Sequence, residues 1–433
     1  MTENAHDISI LRDLASRYAE IAAKPVQEER RQLWRRHFSL KPTRPPVLAT
    51  YGIWNVWCRE VFGDHALSCR DPFYREHERF LRMEIFHDSV GDDYIIEPWI
   101  TQLATLKTPR GIYGEAWGAP PERTLPGVEG GAWKGRPFLQ SWEDFAQNLD
   151  PSNPSRGFGQ MAGLVPPRHE IDEAATARDV ERLQEAVGDI LEVNVNRGPV
   201  LWGFAADLST TSAALRGLDR MMLDMYEAPQ QLKALLIFLR DGVLANQQQA
   251  EEAGDLSLTN HQNQAMPYAE ELESPRANSG PRRRRDLWGF CAAQEYTLVS
   301  PRFHDEFLFQ QQMRIMEHFG LVHYGCCEDL TCKIDMLRQL KNLRSIAVTP
   351  RADVRRCAEQ IGRDYVISWR PNPADMVCTS WDETRIRRII GEGLAACRGG
   401  YVHVHLKDIE TVQGETNRLA RWAAIVRELA EGF

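Results

Sequence analysis

No stretch of this chain approaches the run of roughly 20 apolar residues that a membrane-spanning helix needs. The first residues, "MTENAHDISILRDLASRYAEIAAK", lack the apolar centre of a secretion signal. An excess of positive charge is also missing. The net charge is −9 over 433 residues, and the single basic run, Arg282 to Arg285, has acids on both sides, which argues against a nucleic-acid surface. No G-x-G-x-x-G or P-loop pattern occurs, which removes the usual nucleotide folds. Nine scattered cysteines are not the dense, even set of a disulfide framework. These absences together lead to the expectation of a soluble, reduced, cytoplasmic protein.

What is present is a composition that can bury a large core, 43% hydrophobic and 26% charged. Residues 7–39 read as two amphipathic helices, so 1–45 is expected to be an N-terminal helical extension. The prolines of "LKPTRPPV" end the second helix and open a strand. The segment 108–138, rich in Gly, Pro and Trp, reads as an inserted hairpin or loop. From residue 170 onward short apolar runs alternate with helices. "PVLWGFAADL" and "LSLTNHQNQ" are expected as strands, followed by "LWGFCAAQEYTLV", "LVHYGCCEDL", "LRSIAVTP", "DYVISWRPNP" and "YVHVHLKDI". This alternation implies parallel strands joined by right-handed crossovers, and about eight units favour a (β/α)8 TIM-type barrel over residues 46–433.

In such a barrel chemistry sits where strands end. The candidates are Tyr51, Trp54, Asn55 and Trp57 after the first strand, Glu97 and Trp99 after the next, then Asp207. His261, Gln262, Asn263, Gln294, Glu295 and Tyr296 follow, with His323 to Glu328, Arg370, Asn372, His403, His405, Lys407 and Asp408 last. Glu295 is a candidate general base or ligand, with His261 and Asp207 as further proton-handling groups. Asn263, beside His261, suits hydrogen bonding to a substrate. Tyr51, Trp54, Trp57, Trp99 and Trp117 can wall a pocket for an aromatic ring or cage a methylated ammonium; the alternative is plain core packing. His403 and His405 are two apart and share one face of the last strand. Arg282 to Arg285 read as a guide for an anion or as a solvated loop.

Three stretches carry a family likeness. They are "ALRGLDRMMLDMYEAPQQLKALLIFLRD" at 214–241, "DLWGFCAAQEYTLVSPRFHDEFLFQQQMRIMEHFGLVHYGCCEDL" at 286–330, and "DYVISWRPNPADM" with "LKDIETV" behind it. From about residue 200 the chain resembles the uroporphyrinogen decarboxylase-like superfamily, on the branch near zinc-dependent, corrinoid-linked methyltransferases. The resemblance implies a barrel with a deep pocket at the C-terminal face. Where the porphyrinogen decarboxylases carry an arginine-rich motif after the first strand, this chain reads "ATYGIWNVWCRE", so porphyrinogen is not the expected substrate. The methyltransferases hold zinc through His-x-Cys and a later Cys. Here the corresponding residues are His323, Cys326 or Cys327, and His403 or His405, one residue wider and with a histidine in the late position. Cys378 is a minor ligand candidate.

Zinc favours four Cys or His donors, with one position open in catalytic sites. Cys326 and Cys327 cannot both point inward unless the strand has ended, and Gly325 permits such an ending. The bland alternative is that His323 and Cys327 pack among the helices as core residues. The expected function is methyl transfer from an aryl methyl ether or methylamine to a corrinoid protein partner, with zinc as the activating metal. The alternative is a cofactor-independent decarboxylase, a lyase acting on a carboxylated ring. A ligand-binding barrel without turnover is a third class, and a homodimer is left open.

Overall fold

The computed structural model describes residues 4–51, 60–61, 63–108, 115–119, 138–139, 141–142 and 164–433. Eight strands run β1 (Val47–Tyr51), β2 (Trp99–Leu103), β3 (Glu192–Asn196), β4 (Trp288–Cys291), β5 (Leu321–Tyr324), β6 (Leu343–Val348), β7 (Val366–Trp369) and β8 (Tyr401–Ile409). Every ladder is parallel, as expected from the helical crossovers. Six strands form one sheet in the order β1-β8-β7-β6-β5-β4, and β2 pairs with β3 separately. The architecture is compatible with a TIM-like fold, but among the described residues the hydrogen-bonded ladder does not close. No helix among these residues is long and apolar enough to cross a membrane.

Two expected strands are corrected. "PVLWGFAADL" holds only a short 3-10 turn at Gly203–Ala206; the strand lies earlier, at "EVNVN". "LSLTNHQNQ" forms a 3-10 turn at Leu258–Asn260, where Ser257 and Asn260 satisfy each other's backbone in a capping box. Gly217, at φ 87°, separates helix Leu208–Arg216 from helix Leu218–Glu227.

Strand alternation sorts the sheet into two faces. Val404, Leu406, Ile367, Trp369, Ile346, Val348, Val322 and Tyr324 join the main apolar core with the surrounding helices. The opposite, inner face carries Leu48, Trp288, Leu321 and Val366 at the strand beginnings, where Trp34 and Phe38 pack on them. These two aromatics come from helix α2 (Pro25–Phe38), which follows helix α1 (Ala5–Ala22). Trp34 is fixed by Nε1–H donating to the Asp93 carbonyl at 2.7 Å, and its ring stacks on Phe38 at 5.5 Å. The expected N-terminal extension is therefore a plug under the inner face. Further along the strands that face turns polar, with Ser345, Ser368, His323, His403 and His405 all buried, and Arg370 and Lys407 beyond them.

Of the 108–138 insertion, only 108, 115–119 and 138 fall within the described residues. Trp117 is fully buried against Phe238, ring centroids 5.5 Å apart. It is a core residue and not a pocket wall.

Candidate active site

The site is built where β5 ends. Gly325 follows Tyr324 at φ 103°, a backbone conformation that side-chain-bearing residues rarely adopt. A Cβ there would also meet Leu330 Cδ1 at 2.8 Å and Ala347 Cβ at 2.9 Å. The two thiols differ in exposure: Cys326 is 3% exposed, whereas Cys327 is exposed. Glu328, fully buried, accepts the backbone N–H of Cys326 at 2.8 Å and of Ala293 at 2.7 Å. One carboxylate thus locks the loops after β4 and β5 together and fixes the direction of Cys326.

Around the Cys326 sulfur stand two cations. Lys407 Nζ lies 3.5 Å from Sγ. Arg370 donates Nη1–H to the Cys326 carbonyl and places Nη2 3.1 Å from His323 Nε2. Cys327 Sγ sits 3.5 Å from Cys326 Sγ and 3.5 Å from Asp408 Oδ2. The Cys326 thiol is lowered to about 6, first by the hydrogen bond from Cys327, then, against the opposing effect of burial, by the charges of Lys407 and Arg370 and the Gln264 amide. Cys327 is pushed up by the same hydrogen bond, by burial and by the neighbouring thiolate. Burial opposes the charge on Lys407, yet its pKa is raised, because Cys326, Asp408 and Cys327 favour the ammonium. The arrangement favours a thiolate at Cys326 facing the Lys407 ammonium.

Lys407 continues the inward series His403, His405, Lys407 along β8. Asp408 would then face the other way, but its φ of 59° bends the chain, and its carboxylate meets Nζ at 2.8 and 3.0 Å. The β1–β8 register slips at the same place, from Ala49↔Leu406 to Tyr51↔Ile409.

A second cluster joins Asp207 and Glu295. Asp207 caps the helix Leu208–Arg216, and Glu295 lies on the 3-10 turn Gln294–Tyr296 after β4. Ser209 Oγ is 2.9 Å from Asp207 Oδ1 and 2.6 Å from Glu295 Oε2; Thr210 Oγ1 is 3.2 Å from Asp207 Oδ2 and 2.9 Å from Glu295 Oε1. These four oxygen contacts have only two hydroxyl hydrogens among them, and a carboxyl proton would supply a third. Asp207 favours the protonated form. Burial raises its pKa well above the usual carboxylate range, and the Glu295 charge raises it further.

The expected metal set is not assembled. His403 Nδ1 is 3.0 Å from His37 Nε2 and its Nε2 is 2.8 Å from Ser368 Oγ, with Trp34 and Phe38 around the ring. Both its ring nitrogens are engaged beside the α2 plug. His323 turns Nε2 to Arg370, and Lys407 and Arg370 beside Cys326 repel a dication. Among the described residues no three His, Cys, Asp or Glu side chains are arranged to hold a metal ion. These residues do not fit zinc.

His261 is also removed from the chemistry. Its Nδ1 accepts from the Trp288 backbone N–H at 3.1 Å, its Nε2 is 3.0 Å from the Glu273 carbonyl, and burial lowers its pKa to about 4. It is a neutral pin at the start of β4. Trp99 opens β2 and does not follow it, so it stands at the opposite end of its strand from the one expected. Trp54, Asn55, Trp57 and the Tyr51 side chain lie outside the described residues.

Asn263 Oδ1 accepts from Ala265 N–H at 2.9 Å, while its Nδ2 is buried with no partner among the described residues. The same holds for Gln262 Nε2, Arg370 Nε and His405 Nδ1. Each such atom costs about 1–3 kcal/mol unless water or a ligand reaches it. A polar ligand on the inner face would satisfy several of them at once.

No known protein family matches the chain, and no curated protein does. Among solved structures, a methyltransferase from Methanosarcina mazei is similar over 92% of this chain and 97% of its own, with a TM-score of 0.46 and 12% identity. A likeness of that degree carries no argument about activity.

Proposed function

We propose that this chain is an enzyme that transfers a methyl group from a methylated small molecule, an aryl methyl ether or a methylamine, with the Cys326 thiolate as nucleophile. The observation that carries the reading is the buried thiolate held ready by Lys407 and Arg370. A thiolate is a soft nucleophile suited to attack at a methyl carbon. The S–C bond forms as the C–O or C–N bond breaks, and the bonding pair stays on the departing heteroatom. A phenolate takes its proton from water; an ammonium substrate leaves as neutral amine. The unpaired Gln262, Asn263 and Arg370 groups would hold the substrate's polar part. The final acceptor is proposed to be a corrinoid on a partner protein, as the family resemblance implies.

Decarboxylation is the second reading, favoured by Arg370 and Lys407 as a carboxylate clamp and by the proton on the Asp207–Glu295 pair. Incubation with methoxybenzenes and tetramethylammonium, followed by peptide mass spectrometry, separates the two. Methyl transfer adds one methylene to the Cys326 peptide. An unmodified Cys326, with carbon dioxide released from benzoate-type acids, would replace this reading by the second.

A further inference from the structure

The adjacent thiols offer more than one nucleophile. Cys326 and Cys327 place their sulfurs 3.5 Å apart, one buried against Lys407 and the other exposed beside Asp408. We propose that this pair is a reversible oxidation site, in which a hydroperoxide converts Cys326 and Cys327 to a vicinal disulfide that shuts the site off. The chemistry is that of the same site, so its regulatory meaning rests on the function proposed above.

The steps balance. The Cys326 sulfur attacks one peroxide oxygen; the S–O bond forms, the O–O bond breaks, and the departing oxygen leaves as water or alcohol after taking a proton. Cys326 is now a sulfenic acid. Cys327 then attacks that sulfur, the S–S bond forms, and hydroxide leaves as water. Asp408 Oδ2, 3.5 Å from Cys327 Sγ, is placed to accept the thiol proton. Two thiols lose two electrons, and the peroxide is reduced.

Geometry makes this a switch and not a staple. Neighbouring Cα atoms are about 3.8 Å apart, shorter than the roughly 4.4–6.8 Å of ordinary disulfides. The ring is therefore strained, and strained disulfides are the easily reduced ones. The backbone of Cys326 is held on both sides, by Glu328 at its N–H and Arg370 at its carbonyl, so closure falls to the exposed Cys327 side chain. Oxidation would remove the anion facing Lys407 and leave no nucleophile for group transfer.

The test treats the full chain with hydrogen peroxide, alkylates it with iodoacetamide and digests it. The expected Cys326–Cys327 peptide is two hydrogens lighter, resists alkylation, and is restored by dithiothreitol, while exposed Cys332 serves as the internal reference. Phenylarsine oxide, a dithiol probe, should bind the reduced protein and not the oxidised one. In Cys327→Ser the sulfenic acid has no partner, so Cys326 should advance to sulfinic acid and no longer recover. Alkylation of both thiols after peroxide, or over-oxidation as fast in wild type as in Cys327→Ser, would overturn the proposal. A disulfide in a protein without methyl transfer would overturn the proposed function and leave the oxidation site standing. Methyl transfer that survives full conversion to the disulfide would overturn the switch.

Discussion

Replacing Lys407 by methionine keeps the bulk of the side chain and removes the charge beside Cys326. With Nζ 3.5 Å from Sγ, Coulomb's law at an effective dielectric constant of about 20 gives an attraction of about 5 kcal/mol. Asp408, 2.8 Å from the same ammonium, cancels part of that field, so about 1.5–2.5 kcal/mol is a fair net value. At about 1.4 kcal/mol per pH unit, the titration midpoint of Cys326 should rise by one to two pH units. From a start of about 6, the thiolate share at neutral pH drops from roughly nine-tenths to between a half and a tenth. The assay is the rate of iodoacetamide alkylation at Cys326 against pH, read by peptide mass spectrometry. A midpoint unchanged in Lys407→Met would refute the thiolate–ammonium pair.

Glu328→Ala would strand the N–H groups of Cys326 and Ala293 and should cost about 2–6 kcal/mol in urea unfolding, two unsatisfied donors at about 1–3 kcal/mol each. Gly325→Ala, which forces a side chain into the left-handed region against Leu330 and Ala347, should cost about 1–3 kcal/mol and slow Cys326 alkylation. Burial holds His37 at about 3 and His261 at about 4, both below the ordinary 6.5. The unfolded chain therefore takes up protons first, and the stability they contribute is full above pH 6.5. It falls as pH drops towards 4, by about 1.4 kcal/mol per pH unit for each histidine. Urea midpoints measured between pH 7 and 5 should fall less steeply, by up to one proton, in His37→Leu than in wild type.

The second half of the fold was legible because β4 to β8 are short apolar runs between amphipathic helices, and each strand lies where its run predicts. β3 was not, since its inner face is polar. Asn194 donates to Thr101 and Asn260 donates to Asn196, so "EVNVN" lacks the apolar signal that pulled the expectation to "PVLWGFAADL". "LSLTNHQNQ" misled for a related reason, as its serine and asparagine favour a local cap over a ladder.

At the site, Gly325 was the informative residue. It permitted a strand that ends before Cys326, so that both thiols can turn toward the same site, and their sulfurs lie 3.5 Å apart. The spacing of His403 and His405 correctly placed both on one face, but only packing shows that His403 meets His37 of the α2 plug. Lys407 was within reach of the same period-two argument, and Arg370 follows an apolar strand directly. Their role as partners of a thiolate was missed because the sequence reading assigned that charge to a metal. Ser209 and Thr210, which join Asp207 to Glu295, carry no signal in isolation; they matter only once the fold brings the two carboxyls together.

The most direct measurement compares kcat/KM for methyl transfer in Cys326→Ser and Cys327→Ser under reducing conditions. The account predicts a loss of about a thousandfold or more for Cys326→Ser, whose hydroxyl is not ionised near neutral pH, and less than about tenfold for Cys327→Ser. Activity in Cys326→Ser within about tenfold of wild type would contradict the claim that this sulfur is the reacting group.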